Sequence, residues 1–369
     1  MKNVKHRMFA LLVALLMVVS LFAGCAKTEA PAATGSTASS GTASGSTASS
    51  SKTESEAPAE AEAEMLQVGI LFDDVVDGAV WRRLTLDSVI AYGEETGKFE
   101  VRYVEGQGAQ YFEQQIRSLA DECDIVFTMW TSMAEPTIAV AKDYPDVYFC
   151  IMDGFISDLD QYANIMDFGM DRVQAAYLGG IAAAMESETG VVGIVGGVDE
   201  PVINEAIAGW QQGLVSVNPD IVDYVMYANT WGDVTIVKEM CLELVDRGCD
   251  VIAAAASGGT PGCGLAAEET DTLYVAWDNH FDDIEFEQCL ELGCVANDNG
   301  PMFKLCIDSV LNNTFPAGQR LDYGIDTGAS WYDILDDSPI SDETRAAIEE
   351  ATKGILDGTI ELSKDMLHK

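Results

Sequence analysis

Two runs decide the fold: GVVGIVGG at residues 190–197 and DVIAAAAS at residues 250–257. Both are apolar throughout, where a half-exposed strand would alternate. Strands buried on both faces read this way, as in a parallel sheet covered by helices. Helical periods lie beside these runs. Val202, Ile203, Ala206, Ile207, Trp210 and Leu214 form one, with Asp199-Glu200-Pro201 as its start signal. Val234, Val237, Cys241, Leu244 and Val245 form another, opened by Asp233 and closed by Gly248. Further β-type runs fall at 68–72, 100–104, 124–129, 147–152, 164–169, 222–227 and 273–277. Strands alternating with helices from Met65 to Lys369 predict an α/β chain of βαβ units, doubly wound into two similar lobes. No internal repeat is visible in the sequence itself.

The chain before Met65 has another character. MKNVKHR is a short basic segment, and MFALLVALLMVVSLFAG is an apolar run too short to be a comfortable membrane span. It ends in Leu21-Phe22-Ala23-Gly24-Cys25, which resembles a bacterial lipobox and implies a signal peptide at 1–24 with Cys25 lipidated (acylated, as by palmitate). Residues 25–64 then read as a disordered tether of Ala, Ser, Thr, Gly, Pro and Glu. No aromatic or periodic apolar residue is there to offset the entropy of ordering. A flexible coil of that length reaches about 30–35 Å.

The chain carries 61 acidic against 20 basic residues, a formal net charge of −41. A nucleic-acid binder needs a basic footprint to neutralise phosphates, and none exists, so nucleic acid is excluded as a partner. Docking of the folded body on an anionic bilayer is excluded by the same charge, leaving the lipid anchor as the membrane contact.

In doubly wound sheets the ligand lies beyond the carboxyl ends of the strands. The residues there are Asp73-Asp74 with Asp77-Gly78, Trp130-Thr131-Ser132, Asp153-Gly154-Phe155, Gly196-Gly197, Asn229-Thr230-Trp231-Gly232-Asp233, Ser257-Gly258-Gly259-Thr260 and Asp278-Asn279-His280. Small residues, aromatics and carboxylates converge, with almost no basic residue among them. Such a set suits a neutral, flat, hydroxyl- and amino-bearing ligand. Chemistry-bearing motifs are weak by comparison. Only His280 of the 3 histidines lies inside the body, which leaves no ground for a Ser-His-Asp triad. Gly93-Glu-Glu-Thr-Gly97-Lys98 is one residue short of a phosphate loop and reads as a helix C-cap. Asp73 to Gly78 lacks the bidentate Glu of a calcium loop, since Leu84 stands in its place. No enzyme activity and no cofactor are predicted. The eight cysteines after Cys25 form no C-x-x-C pair and sit mostly on apolar strands and helix faces, so buried free thiols are expected, with Cys289–Cys294 as the exception.

Residues 66–325 resemble the basic membrane protein family of substrate-binding lipoproteins, relatives of the nucleoside-binding lipoproteins of ABC importers. The features run in order: VGILFDD, KDYPDVYFCIMD, DRVQAAYLGGIAAAM, TGVVGIVGGVDEP, AGWQQGLVSVNPD, YANTWGDVTIVKEM, DVIAAAASGGT and YVAWDN. The resemblance implies a type I periplasmic-binding fold whose two lobes are joined by a hinge. Residues 65–189 plus about 298–320 would form one lobe, and 190–297 plus about 321–369 the other. It also implies a purine nucleoside or similar heterocycle in the cleft, an ABC permease as partner, and a place on the outer face of the cell membrane. Ligand contacts carry over to Asp73, Asp153, Trp231, Gly258, Gly259 and Asp278. Asp77, Trp81 and Trp130 join them from the loops, and Asn297 stands where relatives place a lysine. Two other readings share the features: a sensory binding protein serving a membrane signalling partner, and an exported nucleoside hydrolase suggested by the Asp cluster after the first strand.

Overall fold

A computed structural model describes residues 65–280 and 288–368; Cys25 and the tether lie outside them. Two six-stranded sheets organise the chain. The first holds β1 (Leu66–Phe72), β2 (Phe99–Glu105), β3 (Ile125–Met129), β4 (Tyr148–Met152), β5 (Ile165–Met170) and a late strand, β11 (Arg320–Tyr323), in the order β11-β5-β4-β3-β1-β2. All its pairings are parallel. The second repeats the plan with β6 (Val191–Gly196), β7 (Val222–Tyr227), β8 (Val251–Ala255), β9 (Leu273–Asp278), β10 (Glu291–Asn297) and β12 (Ser330–Asp333), ordered β12-β10-β9-β8-β6-β7. Only its edge strand β12 runs antiparallel. The internal repeat that the sequence hides is therefore plain in the topology.

Each βα unit supplies one covering helix. In the first half these are α1 (Val80–Thr96), α2 (Phe112–Ala120) and α3 (Thr131–Ala141). After β5 come α4 (Arg172–Glu186), α5 (Pro201–Val217), α6 (Val234–Asp246) and α7 (Pro261–Thr270), then α8 (Gly300–Leu311) and α9 (Asp342–Leu356). The start signals act as read. Pro201 opens α5, and the Asp233 carboxylate caps α6 by accepting from Thr235 and Ile236 amides. Gly97 adopts φ 63° as the left-handed cap of α1.

The first core is aromatic: Phe303 from α8 stacks on Phe127 at 4.7 Å and meets Phe168 edge-on at 5.3 Å. Three departures from expectation stand out. The resemblance places residues up to 189 in the first half, yet α4 packs in the second core with α5, α9 and the second sheet. The reason is steric: a Cβ on Gly180 would strike the Trp210 carbonyl, and one on Gly213 the Tyr177 carbonyl, so the two helices pack backbone to backbone. The crossings between halves consequently fall before Arg172, after β10 and after β11. Second, β10, β11 and β12 are strands that the pattern does not announce. Third, all eight described cysteines are free, and no bond joins Cys289 to buried Cys294. Among the described residues no helix is long and apolar enough to cross a membrane.

Candidate functional site

The order of each sheet reverses between β1 and β3, and again between β6 and β8. Loops diverge at such switch points and open a crevice beyond the carboxyl ends. Backbone strain gathers there. Six non-glycine residues at or just after strand ends hold positive φ: Trp130 (67°), Asp153 (52°), Phe155 (50°), Asn229 (53°), Ser257 (50°) and Asp278 (67°). Left-handed backbone in a Trp or Phe is uncommon and persists only where surroundings enforce it.

Asp73 leaves β1 and receives two bonds from the Arg82 guanidinium, Nε and Nη2 each at 2.8 Å. Arg82 also lies over the Trp81 ring, 5.1 Å from its centroid. Trp81 in turn meets Trp130 edge-on at 5.5 Å, so the structure brings Asp73, Trp81 and Trp130 into one group. Asp77 stands apart on an exposed turn, paired with Arg83 at 2.6 Å.

Asp153 is buried at the end of β4. Arg172, the first residue of α4, reaches it at 2.7 and 3.2 Å, and Arg320 of β11 at 3.2 Å. Arg320 also holds buried Asp167 at 2.9 Å and covers the Phe155 ring at 4.3 Å. Burial pushes the Asp167 carboxyl above its ordinary range, against the pull of Arg320 and of the Gly154 and Ile156 amides.

In the second half, Trp231 is 40% exposed. It lies beside Gly197, where a Cβ would come within 3.0 Å of its ring, and its carbonyl accepts from the Gly259 amide at 3.3 Å. A Cβ placed on Gly258 would make ordinary contacts of 3.6 Å with Gly232 Cα and the Trp231 carbonyl. Asp278 accepts a hydrogen bond from Asn297 Nδ2 at 2.9 Å. Burial raises its carboxyl pKa, opposed by Asn297 and by the field of Arg172. Arg172 thus acts on carboxylates at the ends of strands in both sheets.

These arginines correct the sequence reading, which finds almost no cation to answer the site's acids. Asp73 and Asp153 are each met by guanidinium groups, and the charges cancel internally. The signal was available for Arg172: Asp171-Arg172 follows the run at 164–169 as directly as the other loops follow theirs. Arg82 is the third residue of α1, and Arg320 reaches Asp153 from far along the chain. No loop-by-loop inspection would place either.

A family model described as ABC transporter substrate-binding protein, PnrA-like, matches residues 65–365. A purine-binding protein of Brucella abortus is 27% identical over 271 residues, covering 71% of this chain and 75% of that one. An ABC transporter nucleoside-binding protein of Lactococcus lactis is 27% identical over 255 residues, with 64% of this chain and 70% of that one covered. Among solved structures, an ABC transporter solute-binding protein of Conexibacter woesei superposes with a TM-score of 0.62 at 20% identity, covering 81% of this chain and 99% of that one. That last likeness concerns the fold alone.

Proposed function

We propose, from the premise that the chain belongs to the family of PnrA-like ABC transporter substrate-binding proteins, that it is a lipid-anchored receptor handing a purine nucleoside to a permease. The family assignment itself carries a small-molecule ligand, a permease partner and an extracytoplasmic position. The finer reading rests mainly on one observation: the strained carboxyl ends of both sheets present tryptophan rings together with a half-buried acid, Asp278, that accepts a hydrogen bond from Asn297. A purine offers a flat face to indole, and its sugar offers hydroxyl donors to a carboxylate, the stronger kind of hydrogen bond. The purine-binding relative of Brucella abortus and the nucleoside-binding relative of Lactococcus lactis support the same reading.

Ligand charge follows from the arginine pairs. Arg172 and Arg320 already serve Asp153, and Arg82 serves Asp73. A phosphate would have to displace those carboxylates or lie beside Asp278, where a unit charge about 5 Å away is repelled by about 3 kcal/mol at an effective dielectric near 20. Calorimetry with adenosine, guanosine and inosine beside their 5′-monophosphates tests this. A monophosphate that binds as well as its nucleoside refutes the neutral-ligand reading, and release of free base would show a hydrolase instead. Mass spectrometry of the molecule that co-purifies identifies the ligand directly. The anchor has its own test: Cys25→Ser is expected to abolish lipidation and leave an unprocessed precursor, and normal processing of that variant would overturn it.

A further inference from the structure

After α9 the chain returns across the second half and is fastened there by two glutamines of α5. The Gln212 amide group donates to the Ser363 carbonyl at 2.7 Å and accepts from the Ser363 amide at 2.9 Å. Gln211 likewise donates to the His368 carbonyl at 2.9 Å and accepts from the Leu367 amide at 2.8 Å. Ile360, Leu362 and Met366 of the same tail pack on the second core. Between the two glutamine clamps stands Lys364, and its ammonium leaves the second half: Nζ lies 2.6 Å from the carboxylate of Asp322 on β11, the edge strand of the first sheet. It also lies 3.6 Å from Glu205 of α5. Glu205 is 8% exposed, and its Oε2 accepts no hydrogen bond among the described residues.

Asp322 continues the line. Its other oxygen takes Arg320 at 2.9 Å, Arg320 holds Asp153, and Asp153 holds Arg172. Charges of alternating sign therefore run from Glu205 in the second half, through Lys364, Asp322, Arg320 and Asp153, to Arg172 at the head of α4. The line begins and ends in the second half and passes through the first. It crosses between halves at two places, Lys364–Asp322 and Asp153–Arg172. The second crossing belongs to the candidate site. The first is made by the tail, and Asp171, beside Arg172, also feels the Lys364 charge.

We infer that Lys364 is a positioning residue, clasping the C-terminal tail to the edge of the first sheet and so setting the spacing of the two halves on which ligand capture depends. It touches no ligand and acts through Asp322 and Arg320. Lys364 is 37% exposed, so the clasp is weak enough to open and responsive to salt. The inference rests on the proposed function for the ligand alone; the spacing can be measured without one.

The test uses full-length protein with a fluorophore pair placed through noncanonical residues at Glu94 on α1 and Glu239 on α6, both exposed. Without ligand, Lys364→Met is expected to broaden the distance distribution and Lys364→Arg to restore it. Salt at about 1 M should give the native chain the broadened distribution and leave Lys364→Met unchanged. With guanosine as probe, Lys364→Met should change affinity by about two- to fivefold. An unaltered distribution in a normally melting Lys364→Met protein overturns the inference. If that variant fails to fold, a native distribution indifferent to salt overturns it equally. A distribution that responds while no nucleoside binds supports the clasp and removes the nucleoside reading.

Discussion

Asp278 and Asp153 end equivalent strands of the two sheets, β9 and β4, with φ of 67° and 52°. Their partners differ. Asp153 is gripped by two arginines, whereas Asp278 has the Asn297 amide. An acid already answered by guanidinium groups serves packing, so Asp278 is the carboxylate with lone pairs to offer. Asp278→Asn keeps the shape and removes the charge, and a hydrogen bond to a charged group contributes about 1.5–3 kcal/mol. Nucleoside affinity should fall roughly 10- to 100-fold by calorimetry, with melting little changed. Trp231→Ala should weaken binding by about 1–3 kcal/mol, or five- to 150-fold, because base stacking on an aromatic is worth that much. Its 40% exposure means the fold loses little. The acids and rings could be read from sequence because they sit next to recognisable strand runs. Their cations could not: Arg320 meets Asp153 across 167 residues, and a pairing so distant leaves no local trace.

Among the elements, the contact of α4 with α5 is the tightest in the molecule's own terms, because glycine carbons meet carbonyls where side chains would normally stand. Replacing Gly213 by Ala in an ordinary helix would gain up to about 1 kcal/mol of propensity. Here the methyl meets the Tyr177 carbonyl, and overpacking of this kind costs about 1–3 kcal/mol or more. The clash should win, and denaturant unfolding of Gly213→Ala should show a net loss. The strand pair β10 and β12 carries a different device. His280 Nδ1 lies 2.6 Å from buried Glu291, and Nε2 lies 3.1 Å from Asp333. Burial alone lowers the imidazole pKa, but Glu291 and Asp333 outweigh it and hold it above the ordinary value of 6.5. A raised histidine contributes stability that is fully present below the unfolded pKa and is lost as pH rises through the folded one. Melting temperature should therefore decline as pH rises above about 6.5 and through the raised folded-state value. His280→Asn should flatten that slope, and an unchanged slope would count against the pairing. Helix starts were legible because Asp233 and Pro201 satisfy or remove amides locally. The side on which α4 packs was not, because it is set by Gly180 of α4 and Gly213 of α5, which carry no hydrophobic signal. Strands β11 and β12, four residues each at sheet edges and holding Arg320, Asp322 and Asp333, lack the apolar run that marks a buried strand.

At the scale of the whole molecule, the doubly wound plan was readable from two apolar runs, whereas the points of crossing were not. Neither half is one continuous segment. The first sheet takes β1 to β5 from the start of the folded body, but its edge strand β11 and its covering helix α8 come only after nearly all of the second sheet. Phe303, whose ring completes the cluster with Phe127 and Phe168, arrives with them. This ordering governs how the protein can be born. As the chain emerges, Phe127 and Phe168 wait uncovered until Phe303 of α8 arrives, and β5 waits with an open edge until β11 appears. Long-range closure of that kind is slow and leaves apolar surface exposed meanwhile. A nascent chain held open in this way stays threadable until α8 and β11 are delivered, which suits passage through a narrow export channel. The same interval is when it most needs a holding chaperone. Slowing synthesis after α7 should lengthen that vulnerable window far more than slowing it after β11.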